Sequence, residues 1–182
     1  MPEVRDALLD AAYDLAVTTG WQRTRMADVA AAAGVSRQTV YDRFGSRDAL
    51  AAALALRETQ RFLDGVERAL AAHAEPVEAI AAAAAFALDA ARDNPLLRSI
   101  LTDEGGLLPY VTTRAEPLVD AARARLAAYV TSRWDAANAA EAAEVVVRLA
   151  LSYIVLPGDA TAARRIADVA THVLDARKVT AP

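Results

Sequence analysis

The 182-residue chain contains no cysteine, and this absence excludes several classes of site at once. Disulfides, thiolate zinc centres, iron–sulfur clusters and cysteine nucleophiles all require that residue. Long apolar runs are also absent: the longest segments without a charge, 79–88 and 149–158, have ten residues each, whereas a membrane span needs about 20. Acidic residues occupy the first turn in place of an apolar signal core. The sequence therefore predicts a cytoplasmic protein with no membrane partner.

Patterns typical of strands are missing too, because β-branched and aromatic residues do not alternate with polar ones. Glycine and proline number only seven each, while the helix formers Ala, Leu, Arg and Glu are abundant. We therefore predict an all-α fold of about nine helices. The predicted helices cover roughly residues 2–17, 24–34, 36–43, 46–72, 117–134, 139–156 and 160–176, and two more begin at Pro76 and Pro95. Candidate N-caps are Thr24, Ser46 and Asn94, and Gly45 is a candidate helix end.

Charge is distributed unevenly along the chain. The net charge of −4 would by itself argue against a nucleic-acid binder. Residues 21–47, however, hold five arginines and only two aspartates, so this segment carries +3 and the rest of the chain −7. A basic segment on an otherwise acidic protein is typical of a local DNA-binding surface.

Residues 24–50 have the spacing of a helix-turn-helix. Two helices that cross at a steep angle need a small residue at the crossing, and Ala30 provides it. The turn needs a residue that tolerates a left-handed backbone, and Gly34 does so. Val35 and Val40 supply apolar anchors, and Ser36 is a candidate N-cap for the second helix. An ordinary helical hairpin with a polar face is the alternative interpretation.

The second helix of this motif presents side chains that can hydrogen-bond phosphates or base edges in a major groove. These side chains are Ser36, Arg37, Gln38, Thr39, Tyr41 and Arg43.

The segment TRMADVAAAAGVSRQTVYDRFGSRDAL, residues 24–50, also resembles the DNA-binding part of the tetracycline-repressor (TetR) family of transcriptional regulators. The matching residues are Thr24, Asp28, Val29, Ala30, Ala33, Gly34, Val35, Ser36, Thr39, Val40, Tyr41, Phe44, Ser46, Arg47, Asp48, Ala49 and Leu50. The resemblance implies a helix-turn-helix DNA-binding domain in residues 1–46. A long helix would join it to a helical ligand-binding and dimerisation domain in residues 47–182.

The resemblance further implies a ligand-responsive regulator, namely a homodimeric repressor that binds a palindromic operator in double-stranded DNA and is released by a small molecule. The residues implied to contact DNA are Thr24 and Arg25 at phosphates, Arg37, Gln38 and Thr39 in the groove, and Tyr41 and Arg47 on the DNA backbone, with Ser36 and Arg43 beside them. Asp42-Arg43 departs from the aromatic or histidine pair that is common in the family. This departure puts base contacts around Asp42 in question.

In such a regulator, the helices between residues 76 and 156 would build the effector chamber. Aliphatic side chains outnumber aromatic ones among the candidate lining residues, so we expect a small, largely apolar effector, acyl or aromatic. The candidates are Phe86, Leu97, Ile100, Leu101, Leu107, Tyr110, Val111, Trp134 and Tyr153, with Arg114, Asp103, Glu104 or Tyr110 as a polar anchor. For any one of the apolar residues, an ordinary place in the core is the alternative.

The last two helices carry apolar stripes wider than one helix pair can bury by itself. We expect these stripes to meet those of a second subunit in a four-helix homodimer interface. A terminal hairpin packed on its own domain is the alternative. The stripes consist of Val145, Val146, Leu149, Tyr153 and Leu156 in one helix and Ile166, Val169, Val173 and Leu174 in the other.

Patterns for catalysis or metal binding are weak. Asp168, His172 and Asp175 share one helix face, but such a group is more often a solvated face than a metal site. The sequence has no Gly-rich phosphate loop, nucleophile elbow or HExxH motif, so we expect no metal, no cofactor and no enzymatic activity. Two other classes stay open: a helical protein–protein regulator with vestigial DNA binding and, less favoured, an enzyme with an apolar helical pocket.

Overall fold

The computed structural model describes residues 2–102 and 116–175, with side chains described for 3–98 and 119–175. Within these ranges it has nine α-helices, one 3-10 helix (Trp21–Arg23) and no strand. The predicted all-α fold is therefore confirmed. The helices are α1 (Pro2–Thr19), α2 (Met26–Ala32), α3 (Arg37–Phe44), α4 (Arg47–Ala71), α5 (Pro76–Asp93), α6 (Pro95–Thr102), α7 (Glu116–Trp134), α8 (Ala139–Val155) and α9 (Ala162–Asp175).

Side-chain caps and a glycine set several helix ends, as the sequence indicated. The Asn94 side chain accepts the N–H of Leu97 at 3.0 Å before α6, and Ser46 accepts that of Ala49 at 3.1 Å before α4. Gly45 closes α3 with a φ of 73°, a left-handed value that glycine adopts without a steric penalty.

One predicted cap was wrong. Thr24 does not cap α2, because the 3-10 helix, which sequence periodicity did not reveal, separates α1 from α2. Thr24 ends that short helix, and Arg25 occupies the N-cap position of α2.

The chain divides into two compact units, and the division falls inside α4, after residue 60. Unit 1 combines the described parts of Met1–Gln60 and Asn94–Ala115. We call α1, the 3-10 helix, α2 and α3 together the head. The core of unit 1 includes five side chains that are at most 1% exposed: Leu8, Leu9, Val29, Val40 and Leu50.

Unit 2 combines the described parts of Arg61–Asp93 and Glu116–Pro182, and therefore contains the second half of α4 with α5, α7, α8 and α9. Within it, α9 packs on α5 and α8, and α7 packs on α8. Alanine supplies much of its core, which lets the helices approach closely. Larger side chains fill the spaces between them, namely Leu70, Ile80, Leu126, Val130 and Ile166.

An arginine joins α7 to α4 inside unit 2. Arg125 donates its Nε to Glu67 at 2.6 Å and its Nη2 to Asp64 at 2.9 Å. The hydrogen bond to Glu67 makes the larger contribution and the one to Asp64 the smaller, and together they raise the pKa of Arg125 above its ordinary value. Among the described helices, none combines the length and the apolar character that crossing a membrane requires.

Candidate nucleic-acid interface

The helix-turn-helix is formed by α2, the turn after it and α3. Gly34 adopts a φ of 67° in the turn, and the N–H of Val35 donates to the carbonyl of Ala30 at 3.0 Å. Ala30 is 3% exposed and Val40 is 0% exposed. The small residue, the left-handed glycine and an apolar anchor thus occupy the places that the sequence assigned to them.

Ser36 caps α3 and holds its first turn. Its Oγ accepts the N–H of Thr39 at 3.1 Å and lies 2.9 Å from the Thr39 hydroxyl. Ser36 is exposed and Thr39 is half-buried. A capped first turn fixes the direction in which the following side chains leave the helix.

Two side-chain pairs, each four residues apart, organise the outer surface of α3. Arg37 donates Nη2 to the Tyr41 hydroxyl at 3.2 Å, and its guanidinium lies 5.2 Å from the centre of that ring. The hydrogen bond with Tyr41 raises the pKa of Arg37, so the guanidinium stays charged. Gln38 donates Nε2 to the Asp42 carboxylate at 2.7 Å. The acid that departs from the family pattern therefore has a neutral hydrogen-bond partner on the same helix.

The remaining candidate residues divide into exposed and internal ones. Arg25 and Arg43 are exposed. Thr24 is only 3% exposed, and its hydroxyl donates to the carbonyl of Gly20 at 3.1 Å. Arg47 is half-buried. Its Nε donates to the carbonyl of Thr24 at 2.9 Å, its Nη2 donates to that of Trp21, and its guanidinium lies 5.0 Å from the centre of the indole. Thr24 and Arg47 thus have acceptors inside unit 1 where the sequence suggested DNA phosphates.

A surface concavity of about 860 Å³ brings five of the candidate residues together. Four arginines and a single aspartate line it, which favours an anionic ligand. Sequence reasoning had counted Arg23 as part of the basic segment without assigning it a contact, and it missed Gln22. The lining residues are Gln22, Arg23, Thr24, Arg25, Met26, Ala27, Asp28, Arg37, Tyr41 and Arg47.

Four of the candidate effector residues have described side chains, one in unit 1 and three in unit 2. Leu97 is 3% exposed in unit 1. In unit 2, Phe86 stacks on Phe62 with ring centres 6.2 Å apart, and Trp134 donates Nε1 to the carbonyl of Ala74 at 3.0 Å. Tyr153, also in unit 2, is half-buried. The others lie outside the described residues or, for the first two, have undescribed side chains: Ile100, Leu101, Asp103, Glu104, Leu107, Tyr110, Val111 and Arg114.

The apolar stripes of α8 and α9 correspond only in part to exposed surface. Val146 and Ile166 were placed on the outer face wrongly, because their side chains belong to the core of unit 2 at 8% and 0% exposure. Leu156 and Val169 are 74% and 45% exposed, and Val155, which the sequence analysis did not include, is 50% exposed.

The three candidate metal ligands on α9 do not form a metal-binding site. Asp168 accepts a hydrogen bond from Arg164 at 3.2 Å, and Asp168, His172 and Asp175 are all exposed. Within residues 2–102 and 116–175, no group of three or more histidine, cysteine or acidic side chains is arranged to hold a metal ion.

Two protein-family models match the chain. Residues 8–54 match the model described as "Bacterial regulatory proteins, tetR family". Residues 75–174, more than half of the chain, match the model described as "Bacterial Tetracyclin repressor, C-terminal domain". The two matches together include the helix-turn-helix and α5, α7 and α8.

Individual proteins are similar over most of their length. The HTH-type transcriptional regulator AlkX of Mycobacterium tuberculosis is 40% identical over 164 residues, which are 86% of this chain and 77% of AlkX. The crystal structure of the TetR family repressor AlkX from Dietzia sp. strain DQ12-45-1b, implicated in biodegradation of n-alkanes, is 31% identical. That match covers 93% of this chain and 94% of the other, with a TM-score of 0.69. A TetR transcription regulator from Haloarcula marismortui shares the fold at 16% identity, covering 97% and 98%, with a TM-score of 0.69.

Proposed function

The chain belongs to the tetracycline-repressor family of transcriptional regulators, and we propose that it is a homodimeric repressor that binds a palindromic operator and is released by a small apolar effector. Members of this family bind DNA, dimerise and regulate transcription, and they are not enzymes. A repressor that acts on bacterial DNA would work in the cytoplasm.

The observation that carries the DNA-binding proposal is the juxtaposition of the exposed α3 surface and the arginine-lined concavity. Arg37 lies in both, because it leaves the first turn of α3 and also lines the concavity. With α3 in a major groove, the concavity would face a neighbouring phosphate strand, since recognition helices sit between two backbones. The proposed DNA contacts are made by Arg23, Arg25, Ser36, Arg37, Gln38, Thr39, Tyr41 and Arg43.

Selection of bound sequences from a random DNA pool tests this assignment. We expect a palindromic motif whose binding weakens steeply as the salt concentration rises, because arginine–phosphate contacts release counterions. The variant Arg37→Gln should lose most of that affinity. Its matched control is Arg92→Gln, which removes a 68% exposed arginine from α5 in unit 2. Failure of the unmodified protein to enrich any sequence would contradict the proposal and favour a helical protein–protein regulator.

The proposed dimer interface uses the exposed apolar side chains at the end of α8 and on α9. Val155, Leu156 and Val169 are three of the five large apolar side chains that are exposed among the described residues. Each would leave water on dimerisation, and apolar burial is the main favourable term in such association. The double variant Leu156→Asp, Val169→Asp should shift the protein to monomer in light scattering. Val17→Asp, at a 38% exposed position of α1, is the control; equal behaviour of both variants would overturn this interface.

The proposed effector is an unbranched apolar chain. This class rests on the expected aliphatic lining and on the 31% identical Dietzia repressor, which is implicated in n-alkane biodegradation. Intrinsic tryptophan fluorescence with n-decane, hexadecanoic acid and glucose as probes tests it. We expect quenching by the first two only, and loss of most of the response in Trp134→Phe, since Trp134 is the tryptophan of unit 2. A response to glucose alone would contradict an apolar effector.

A further inference from the structure

Two arginines of α4 contact the head at separate points, in addition to the apolar core. Resting on the proposed DNA-binding function, we infer that Arg47 and Arg57 are positioning residues that fix the head on α4, and that Arg47 acts through this role and not by binding a phosphate. The reading helix α3 would then follow α4 as one body, and DNA affinity would depend on both attachments.

Arg47 forms the first attachment, at the 3-10 helix that precedes α2. Its Nε and Nη2 donate to the carbonyls of Thr24 and Trp21, and the indole of Trp21 lies under the guanidinium. Trp21 is itself buried at 3% exposure. Two donors of one rigid, planar group therefore hold the backbone that leads into α2.

Arg57 forms the second attachment, on α1. Its Nη1 donates to the Asp10 carboxylate at 2.8 Å and lies 3.4 Å from the carbonyl of Asp6. The Arg57 side chain is 12% exposed and that of Asp10 is 60% exposed, so the guanidinium is held in place by its surroundings while water still reaches the carboxylate and weakens the ion pair. The Nε of Arg57 donates to the Glu58 carboxylate at 3.1 Å. The Glu58 side chain is 7% exposed, and its negative charge partly balances the positive charge of the buried Arg57.

The spacing of the two arginines determines what they can fix. Ten residues separate them, so they lie about 15 Å apart along α4 and leave the helix in directions about 80° apart. One attachment would let the head pivot on α4. Two attachments at different heights and angles oppose both a sliding and a rotation of the head.

Salt dependence separates a positioning arginine from one that binds a phosphate. Removing one phosphate-binding arginine from each subunit lowers the slope of log affinity against log salt by about two for a dimer. Removing a positioning residue leaves this slope unchanged and lowers affinity at every salt concentration, because a loosely held reading helix must be ordered on binding.

The experiment compares Arg47→Lys, Arg47→Gln and Arg43→Gln in binding to the selected operator over a range of salt. We expect both Arg47 variants to lose at least about tenfold in affinity with an unchanged slope, since lysine keeps the charge but cannot match the planar fork. Arg43→Gln should lower the slope. Wild-type affinity of Arg47→Lys, or a lowered slope in Arg47→Gln, would overturn the positioning role of Arg47.

Hydrogen exchange tests the two attachments in the absence of DNA. It therefore shows whether the inference about Arg47 and Arg57 is wrong even if the proposed DNA-binding function is also wrong. In Arg47→Gln the amides of Thr24 and Val29, which donate to Trp21 and Arg25 at 3.1 Å, should exchange at least about tenfold faster in the folded variant. Arg43→Gln should leave them unchanged, and unchanged exchange in Arg47→Gln would overturn the inference. Asp10→Asn, which leaves Arg57 in place, should accelerate exchange in the second half of α1 and weaken operator binding with an unchanged slope; wild-type behaviour in both would remove Arg57 from the proposal.

Discussion

The ring of Phe86 on α5 occupies the space that a side chain at position 65 of α4 would need. A Cβ on Gly65 would lie 2.1 Å from Cζ and 2.5 Å from Cε1 of that ring. Phe86 also stacks on Phe62, which lies three residues before Gly65 on the same helix. A glycine inside the 25-residue helix α4 lowers the stability of that helix. The close approach of the Phe86 ring explains why position 65 nevertheless holds glycine.

Gly65→Ala is therefore expected to lower the free energy of unfolding. Alanine should gain about 1 kcal/mol in helix propensity, but the displaced ring costs about 1–3 kcal/mol through overpacking. In a Phe86→Ala background the clash is gone, and Gly65→Ala should become stabilising. Urea denaturation of the four proteins of this cycle measures the sign change, and a destabilising Gly65→Ala in both backgrounds would contradict the packing explanation.

Ser36→Ala should destabilise unit 1 by about 1 kcal/mol, because it removes the oxygen that accepts the N–H of Thr39. Ser132→Ala is the matched control. Ser132 is exposed near the end of α7 and donates only to the carbonyl of Tyr129, so its loss should change stability by a few tenths of a kcal/mol at most. Equal effects of the two substitutions in urea denaturation would show that the cap contributes nothing.

Asp42→Ala should tighten binding to DNA of arbitrary sequence by about threefold to fivefold, since it removes a negative charge from the proposed DNA-facing surface. It also frees the amide of Gln38, which donates to Asp42 at 2.7 Å. The freed amide should sharpen the preference at one base pair of each half-site. Binding titrations on operator and random DNA measure both effects. Weaker binding of the variant to both DNAs would contradict this prediction and show that Asp42 has a structural role in α3.

Glu144 makes the stability of unit 2 depend on pH in the acidic range. Hydrogen bonds from Arg123 and then Arg148 lower the pKa of Glu144 below its ordinary value. A carboxyl with a lowered folded-state pKa stabilises the fold above its unfolded pKa, about 4.3 for glutamate, and loses this contribution as the pH falls through the folded value. The melting temperature of Glu144→Gln should therefore lie below that of the wild type at pH 7 and approach it below pH 4. A difference that is constant with pH would contradict the sign of this shift.

The head shows how much of a fold can be predicted from residues that are close together in the sequence. Ser36, Gly34 and Gly45 act through neighbours within four residues along the chain, and such contacts can be inferred from spacing alone. Residues 24–50 therefore predicted the helix-turn-helix, its turn and the exposed side chains of α3 together with the family.

Contacts across long separations escaped the same reasoning. Arg47 reads in the sequence as one of several arginines available to DNA, but the tertiary structure brings it to carbonyls 23 and 26 residues earlier. Thr24 reads as a cap, but the 3-10 helix turns its hydroxyl toward Gly20. On α8, the apolar stripe was visible, but only the packing of α7 and α9 decided that Val146 faces the core.

The sequence by itself determined the nine α-helices of the described residues, most of the predicted caps and the helix-turn-helix segment, because periodicity, capping and turn chemistry act between residues a few positions apart. Only the tertiary structure decided which arginines are exposed and which hold the backbone, and which glycine makes room for which ring. Those outcomes depend on where distant segments meet, and a guanidinium takes whichever acceptors the fold places within its reach.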